Sequence, residues 1–193
     1  MDSPPAPVLG EPLPLELANT RFAHRGHEHD GLREPADLAA WFRRVRERLP
    51  VAPVDGDLDA IGPRELAAAR ELRDALRTLF TAVTAGNALA AEPAEVVNGA
   101  VRSAPRWREI ATETALASVV RTAAPPMPAA LAAIAEEAVR LLTGPDAAAV
   151  RACAAPGCML FYRKDHPRRA WCSPRCGNRV RAARHYARRT AAG

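Results

Sequence analysis

All the thiols of the chain, Cys153, Cys158, Cys172 and Cys176, fall in one short stretch with the spacing Cys-x4-Cys-x13-Cys-x3-Cys. Two close pairs separated by a loop are how a chain gathers four thiolates around one tetrahedral cation, each pair supplying two corners. The pattern predicts one structural zinc ion. Four protein ligands close the coordination sphere, so the metal would organise structure rather than meet substrate. Disulfides, redox-active thiols and merely buried thiols are the competing uses. A segment of about 40 residues buries too little surface to fold unaided, whereas zinc adds on the order of 10 kcal/mol of apparent binding energy.

The residues between the cysteines indicate how the ion would be held. Ala154-Ala155-Pro156-Gly157 reads as a tight turn in which Gly157 takes positive φ, so that backbone amides face the sulfurs. Residues 159–162 and 169–171 flank the turn-rich Lys164-Asp165-His166-Pro167 and read as a β-hairpin, with Phe161 and Trp171 forming most of a very small core. Ser173 can cap a helix that Pro174 opens, which places Cys176 in its first turn. Knuckle, hairpin and helix together predict a treble-clef-like finger.

Charge suggests what this finger would contact. Residues 151–193 hold eleven Lys or Arg against the single acid Asp165, whereas residues 1–150 hold sixteen basic and twenty-one acidic groups. A basic segment on a mildly acidic body is the footprint of a nucleic-acid-binding element. At about 100° per residue, Arg181, Arg184 and Arg188 share one stripe of the last helix, widened by Asn178, His185 and Arg189. Val180, Ala183 and Ala187 share another stripe that can lie against the finger. With Arg168, Arg169 and Arg175 nearby, the surface predicts contact with double-stranded DNA, guanidinium groups meeting phosphates and reaching guanine edges in the major groove. Arg179 projects away from the stripe, near Tyr186. A solvated helix face and a protein-binding finger are the alternatives.

The elements that position this finger come before it. The chain divides into residues 1–146, mainly α with a small β-sheet (α+β), and residues 147–193, the zinc finger. Pro-rich residues 1–14 read as a loose arm. Leu13, Leu15 and Leu17 alternate, which predicts a short edge strand, although a helix is compatible with the same residues. Leu38, Trp41, Phe42, Val45 and Leu49 follow helical spacing, as do Leu66, Leu72, Leu76, Leu79, Phe80 and Val83 before a stop at Gly86. Pro93 can open a further helix through Val101. Residues 106–111 and 115–121 read as a hairpin, residues 131–142 as a helix stopped by Gly144-Pro145, and residues 146–151 as a short helix into the finger.

The front region offers little that reads as catalysis. It has no Gly-rich phosphate loop and no nucleophile motif, so a binding protein rather than an enzyme is expected. His24, His27 and His29 could ligate a metal, with a polar surface turn as the plainer reading. Asn19, Thr20 and Arg21, with Arg106 and Trp107, could line a pocket for a small-molecule effector, and ordinary capping and packing explain them equally well. No secretion signal or membrane-length apolar run is present, which points to the cytoplasm and away from a membrane partner.

The run Cys176-Gly177-Asn178-Arg179, preceded by Trp171-Cys172 and by a Cys-x4-Cys pair with Leu160-Phe161 after it, resembles the CGNR zinc finger of bacterial proteins whose N-terminal part is the ABATE domain. Leu15 to Arg21, Asp30-Gly31-Leu32 and residues 37–42 are similar to that N-terminal part. The chain departs from the pattern at Arg163, often acidic, and at Ala170, which interrupts a basic run. The resemblance implies a stress-induced transcription regulator with a DNA-binding finger.

Overall fold

The computed structural model describes residues 4–112 and 116–190. Its elements run α1 (Leu13–Ala18), β1 (Arg21–His24), β2 (His27–Asp30), α2 (Pro35–Val45), α3 (Asp55–Asp59), α4 (Pro63–Ala85), α5 (Ala91–Ser103), β3 (Arg106–Ala111), β4 (Ala117–Thr122), α6 (Pro126–Thr143), β5 (Val150–Ala152), β6 (Phe161–Arg163) and α7 (Pro174–Thr190). The strands form three separate antiparallel pairs. The result is the mainly helical α+β fold expected, followed by a small finger.

The alternating leucines do not form a strand. Leu13, Leu15 and Leu17 lie in α1, whose six residues are all buried, and Pro14 sits in its first turn, where a missing N–H costs nothing. A helix packed on every side needs no polar face, so its sequence carries no helical stripe. It lies against α4, α6 and β6.

Helix α4 is the spine of the front region. Its 23 residues span about 34 Å. The Glu65 carboxylate accepts the Gly62 N–H at 2.9 Å at one end, and Gly86 closes the other with φ of 69°. Leu66, Leu72, Leu76, Leu79 and Phe80 are buried along it. Helix α5 begins at Ala91, two residues before Pro93. Helix α6 buries Ala129, Ala130, Ala132, Ala133, Ala135 and Ala138, small side chains that let α5 and α4 approach closely.

Residues 24–30, read from sequence as a polar turn or a metal site, form a hairpin with His24 paired to His27. Arg25 and Gly26 make its two-residue turn with φ of 51° and 82°, the positive values that match the twist of the flanking strands. The second hairpin joins β3 to β4 with Arg106 opposite Thr122 and Ala111 opposite Ala117, while Ala115, expected to begin its second strand, lies outside the described residues.

Two expectations near the finger are corrected. Residues 146–151 do not form one helix: a 3-10 turn over Pro145–Ala149 gives way to β5. The partner of Phe161–Arg163 is β5, not residues 169–171, with Val150 opposite Arg163 and Ala152 opposite Phe161. Burial explains the choice, because Val150 and Phe161 both enter the main core, whereas Arg169 turns its guanidinium toward Glu11.

Candidate metal centre and basic surfaces

Each cysteine is placed by an identifiable device. At the end of β5, the Cys153 N–H donates to the Leu160 carbonyl at 2.9 Å, carrying the ladder one residue past the strand. The knuckle turns at Gly157, with φ of 65°, and the Cys158 N–H donates to the Ala155 carbonyl at 2.9 Å. On the other side, the Ser173 hydroxyl accepts the Cys176 N–H at 3.4 Å at the start of α7. Ser173 and Pro174 therefore act as expected, and Cys172 and Cys176 flank the helix start.

The four sulfurs form a compact cluster. The Cys172–Cys176, Cys158–Cys176 and Cys158–Cys172 sulfur distances are 3.5, 3.7 and 3.8 Å, and all four sulfurs lie within 4.8 Å of one another. A tetrahedral site with Zn–S bonds of about 2.3 Å has sulfur–sulfur edges of about 3.8 Å, so the cluster fits one zinc ion. It does not fit disulfides, whose sulfurs stand about 2.05 Å apart, and all four cysteines are free. Among Cys153, Cys158 and Cys172 the mutual contacts favour a thiolate on one at the expense of the other two. Hydrogen bonds from Cys158 and Cys172 hold Cys153 far below the usual thiol range. The same contact with Cys153 pushes Cys158 up to about 11, and contacts with Cys153 and Cys158 push Cys172 higher still, burial adding to both. A divalent cation removes this conflict by stabilising every thiolate at once. Among the described residues this is the one cluster of metal-ligand type, so His24, His27 and His29 do not form another.

Each residue of the Cys-Gly-Asn-Arg run has a physical role. Cys176 is a ligand. A Cβ on Gly177 would stand 3.1 Å from Cδ1 of Trp171, so glycine lets the indole cover the first turn of α7. Asn178 accepts a hydrogen bond from Arg181. The Arg179 guanidinium donates to the Cys176 sulfur at 3.2 Å, an outer-shell contact that spreads the negative charge of the thiolates. Around the sulfurs pack Ala155, Tyr162 and Val180, with Leu9, Leu160 and Trp171 at the edge. Phe161, expected in this small core beside Trp171, instead stands 5.7 Å from Phe80 in the main core.

The finger is joined to the front region by buried polar groups. Asn19 is fully buried. Its amide nitrogen donates to the Phe161 carbonyl at 2.8 Å, and its amide oxygen accepts the Phe161 N–H at the same distance. Glu11, 2% exposed, accepts the Arg163 N–H at 2.9 Å and the Arg169 guanidinium. Glu16 accepts the Glu11 N–H at 2.7 Å and that of Leu9, and burial pushes its carboxyl above the ordinary value. Asn19 and Thr20 are therefore structural and do not line a pocket with Arg106: the Thr20 hydroxyl donates to the Leu17 carbonyl at 2.8 Å. Arg21 pairs with Glu28 at 2.9 Å. Arg106 pairs with Glu136 and lines a separate groove with Trp107 and Arg140. Neither the Glu11 contacts nor the Asn19 clamp is legible in the sequence, because each partner lies more than a hundred residues away along the chain.

The arginines sort by environment. Arg169, expected on the nucleic-acid surface, lies over the Tyr162 ring at 5.1 Å and reaches Glu11 and Asp165, so its charge is engaged internally. Arg168, Arg175, Arg181, Arg184, Arg188 and Arg189 are exposed. No carboxylate lies within ion-pair distance of them among the described residues, whereas Arg43, Arg46, Arg73 and Arg106 of the front region are all paired. Val180 packs on the finger as expected, but Ala183 and Ala187 are exposed because α7 runs past the finger. The side chains of His185 and Tyr186 lie outside the described residues.

Comparison with protein families places this architecture. The model for ABATE, "Putative stress-induced transcription regulator", matches residues 11–145. The model for the CGNR zinc finger matches residues 149–189. A search of curated proteins gave no match.

Proposed function

Since the chain belongs to the ABATE family and ends in a CGNR zinc finger, we propose that it is a transcription regulator whose finger binds duplex DNA through α7. The observation that carries this reading is the unpaired basic face of that helix. Arg181, Arg184 and Arg188 follow one stripe, Arg189 lies beside it, and no described carboxylate neutralises any of them. Exposed cations left together without acids are suited to phosphates, whose condensed counterions they release on binding.

Zinc, when bound, supplies the rigidity that fixes the first turn of α7. The chain's own residues do the rest. Trp171 covers that turn over Gly177, Val180 anchors the next one, and Arg181, Arg184, Arg188 and Arg189 are exposed along the rest of the helix. Arg168, which precedes α7, would add a phosphate contact, whereas Arg175 lies on the roughly opposite side of α7 and is not part of this surface. The role is that of a binding protein acting in the cytoplasm, with the front region open to a small-molecule effector.

The test is titration of zinc-loaded protein with duplex DNA at several salt concentrations. Replacing Arg181, Arg184 and Arg188 with Ala should weaken binding and reduce the slope of log affinity against log salt by about 0.9 for each phosphate that is no longer neutralised. A triple variant that keeps wild-type affinity and slope while retaining zinc would reject α7 as the DNA-contacting element. The finger would then read as a protein-interaction module.

A further inference from the structure

We propose that the cleft between the N-terminal arm, β1 and the start of α7 is a binding site for a small organic phosphate. Its volume of ≈ 650 Å³ lies in the range of small-molecule sites. Arg25 and His24 come from the first hairpin, Arg44 from α2, and Arg175 and Arg179 from the finger, and no residue lining the cleft is acidic. Phe22 and Leu160 supply apolar wall.

The charge balance of this cleft is unusual within the molecule. On α2, Arg43 is paired with Asp59, while its neighbour Arg44 lines the cleft and donates to the Ala6 carbonyl of the arm at 2.5 Å. None of Arg25, Arg44, Arg175 and Arg179 has a carboxylate partner among the described residues. The zinc-bound thiolates offset part of this charge, since Arg179 touches the Cys176 sulfur. Four guanidinium groups still outweigh the double negative charge of a zinc tetrathiolate. Like charges gathered around one concavity repel, and an anion held among them removes the repulsion. A phosphate monoester carries close to two negative charges near neutral pH and accepts guanidinium hydrogen bonds in pairs, a better match than a single carboxylate. The apolar wall would meet its organic body.

The cleft differs from the proposed DNA surface. At about 100° per residue, Arg175 and Arg179 fall on one side of α7, and Arg181, Arg184 and Arg188 on the roughly opposite side. An occupant would touch front region and finger together, which gives a ligand a physical route to the finger. This inference rests on the cleft and not on the DNA reading, so the two can fail separately.

Calorimetric titration of the zinc-loaded full chain with thymidine 5′-monophosphate and with pyrophosphate tests it. Arg25→Asn and Arg175→Ala are suitable variants, because both side chains are exposed and Asn tolerates the positive φ of 51° at position 25. Both probes should bind the wild type, and each variant should bind them about tenfold more weakly at unchanged zinc content and melting temperature. Duplex affinity should be unchanged by Arg25→Asn. The proposal is overturned if neither probe binds the wild type, or if both variants bind as the wild type does. It is equally overturned if the probes fail to bind and Arg25→Asn weakens duplex binding, which would assign the cleft to the DNA backbone.

Discussion

Asn19 and Phe161, 142 residues apart in sequence, are joined by two reciprocal hydrogen bonds of 2.8 Å, the side-chain amide of one serving the peptide N–H and C=O of the other. The amide thus occupies the place of a neighbouring strand beside β6. It binds the finger to α1 at a fully buried point, and it ties the zinc-bearing segment to the main core.

Asn19→Ala should therefore orphan two buried backbone groups, at about 1–3 kcal/mol each. Asn19→Asp should be at least as damaging, because a carboxylate cannot donate to the Phe161 carbonyl. Urea unfolding of the zinc-loaded variants measures both. Wild-type stability in either would show that the clamp contributes nothing.

Metal removal should be felt beyond the finger. The sequence divides the chain between residues 146 and 147, yet Val150 and Phe161 on the strands flanking the knuckle are part of the main core. Chelation, or Cys158→Ser, should abolish finger structure and lower the melting temperature of the remainder as well. Differential scanning calorimetry of zinc-loaded and chelated protein would reveal it, and an unshifted front transition would refute the coupling.

Arg179 should tune the metal. Its guanidinium reaches the Cys176 sulfur at 3.2 Å, and removing such an outer-shell partner typically weakens metal binding by about 10–100-fold. Competition of Arg179→Gln with a chromophoric chelator gives the number. Affinity equal to wild type would make the interaction incidental.

Gly177→Ala places a Cβ 3.1 Å from Trp171 Cδ1. The indole must give by a few tenths of an ångström, so Trp171 fluorescence should change and finger stability should fall by about 1 kcal/mol. An unchanged spectrum and stability would mean that the turn relaxes at no cost.

Glu16 predicts a pH dependence. Burial raises its carboxyl above the ordinary value of 4.5, against the opposing hydrogen bonds of Leu9 and Glu11 and the charge of Arg48. The folded state then binds the proton more tightly than the unfolded chain. The associated stabilisation is fully present below pH 4.5 and is lost as pH rises through the folded value. Relative to Glu16→Gln, which does not titrate, wild type should lose stability as pH rises above 4.5. Parallel unfolding curves across that range would show that Glu16 is not perturbed.

Much of this protein is determined by local sequence. The spacing of four cysteines selects a tetrahedral metal site, because ligand type and loop length decide which sulfurs can share an ion. Ser173 and Pro174 start α7, Gly86 ends α4, and the periodic leucines of α2 and α4 mark their buried faces, since capping and amphipathicity act within a few residues. Tertiary structure alone decided the rest. Leu13, Leu15 and Leu17 are helical because the segment is enclosed on all sides, which erases the periodicity that would distinguish helix from strand. Phe161 belongs to the front core and pairs with β5, and Arg169 belongs to Glu11, because burial rewards the nearest partner in space whatever its distance along the chain. The cleft among Arg25, Arg44, Arg175 and Arg179 exists only once hairpin, helix and finger are brought together, and no stretch of sequence contains it.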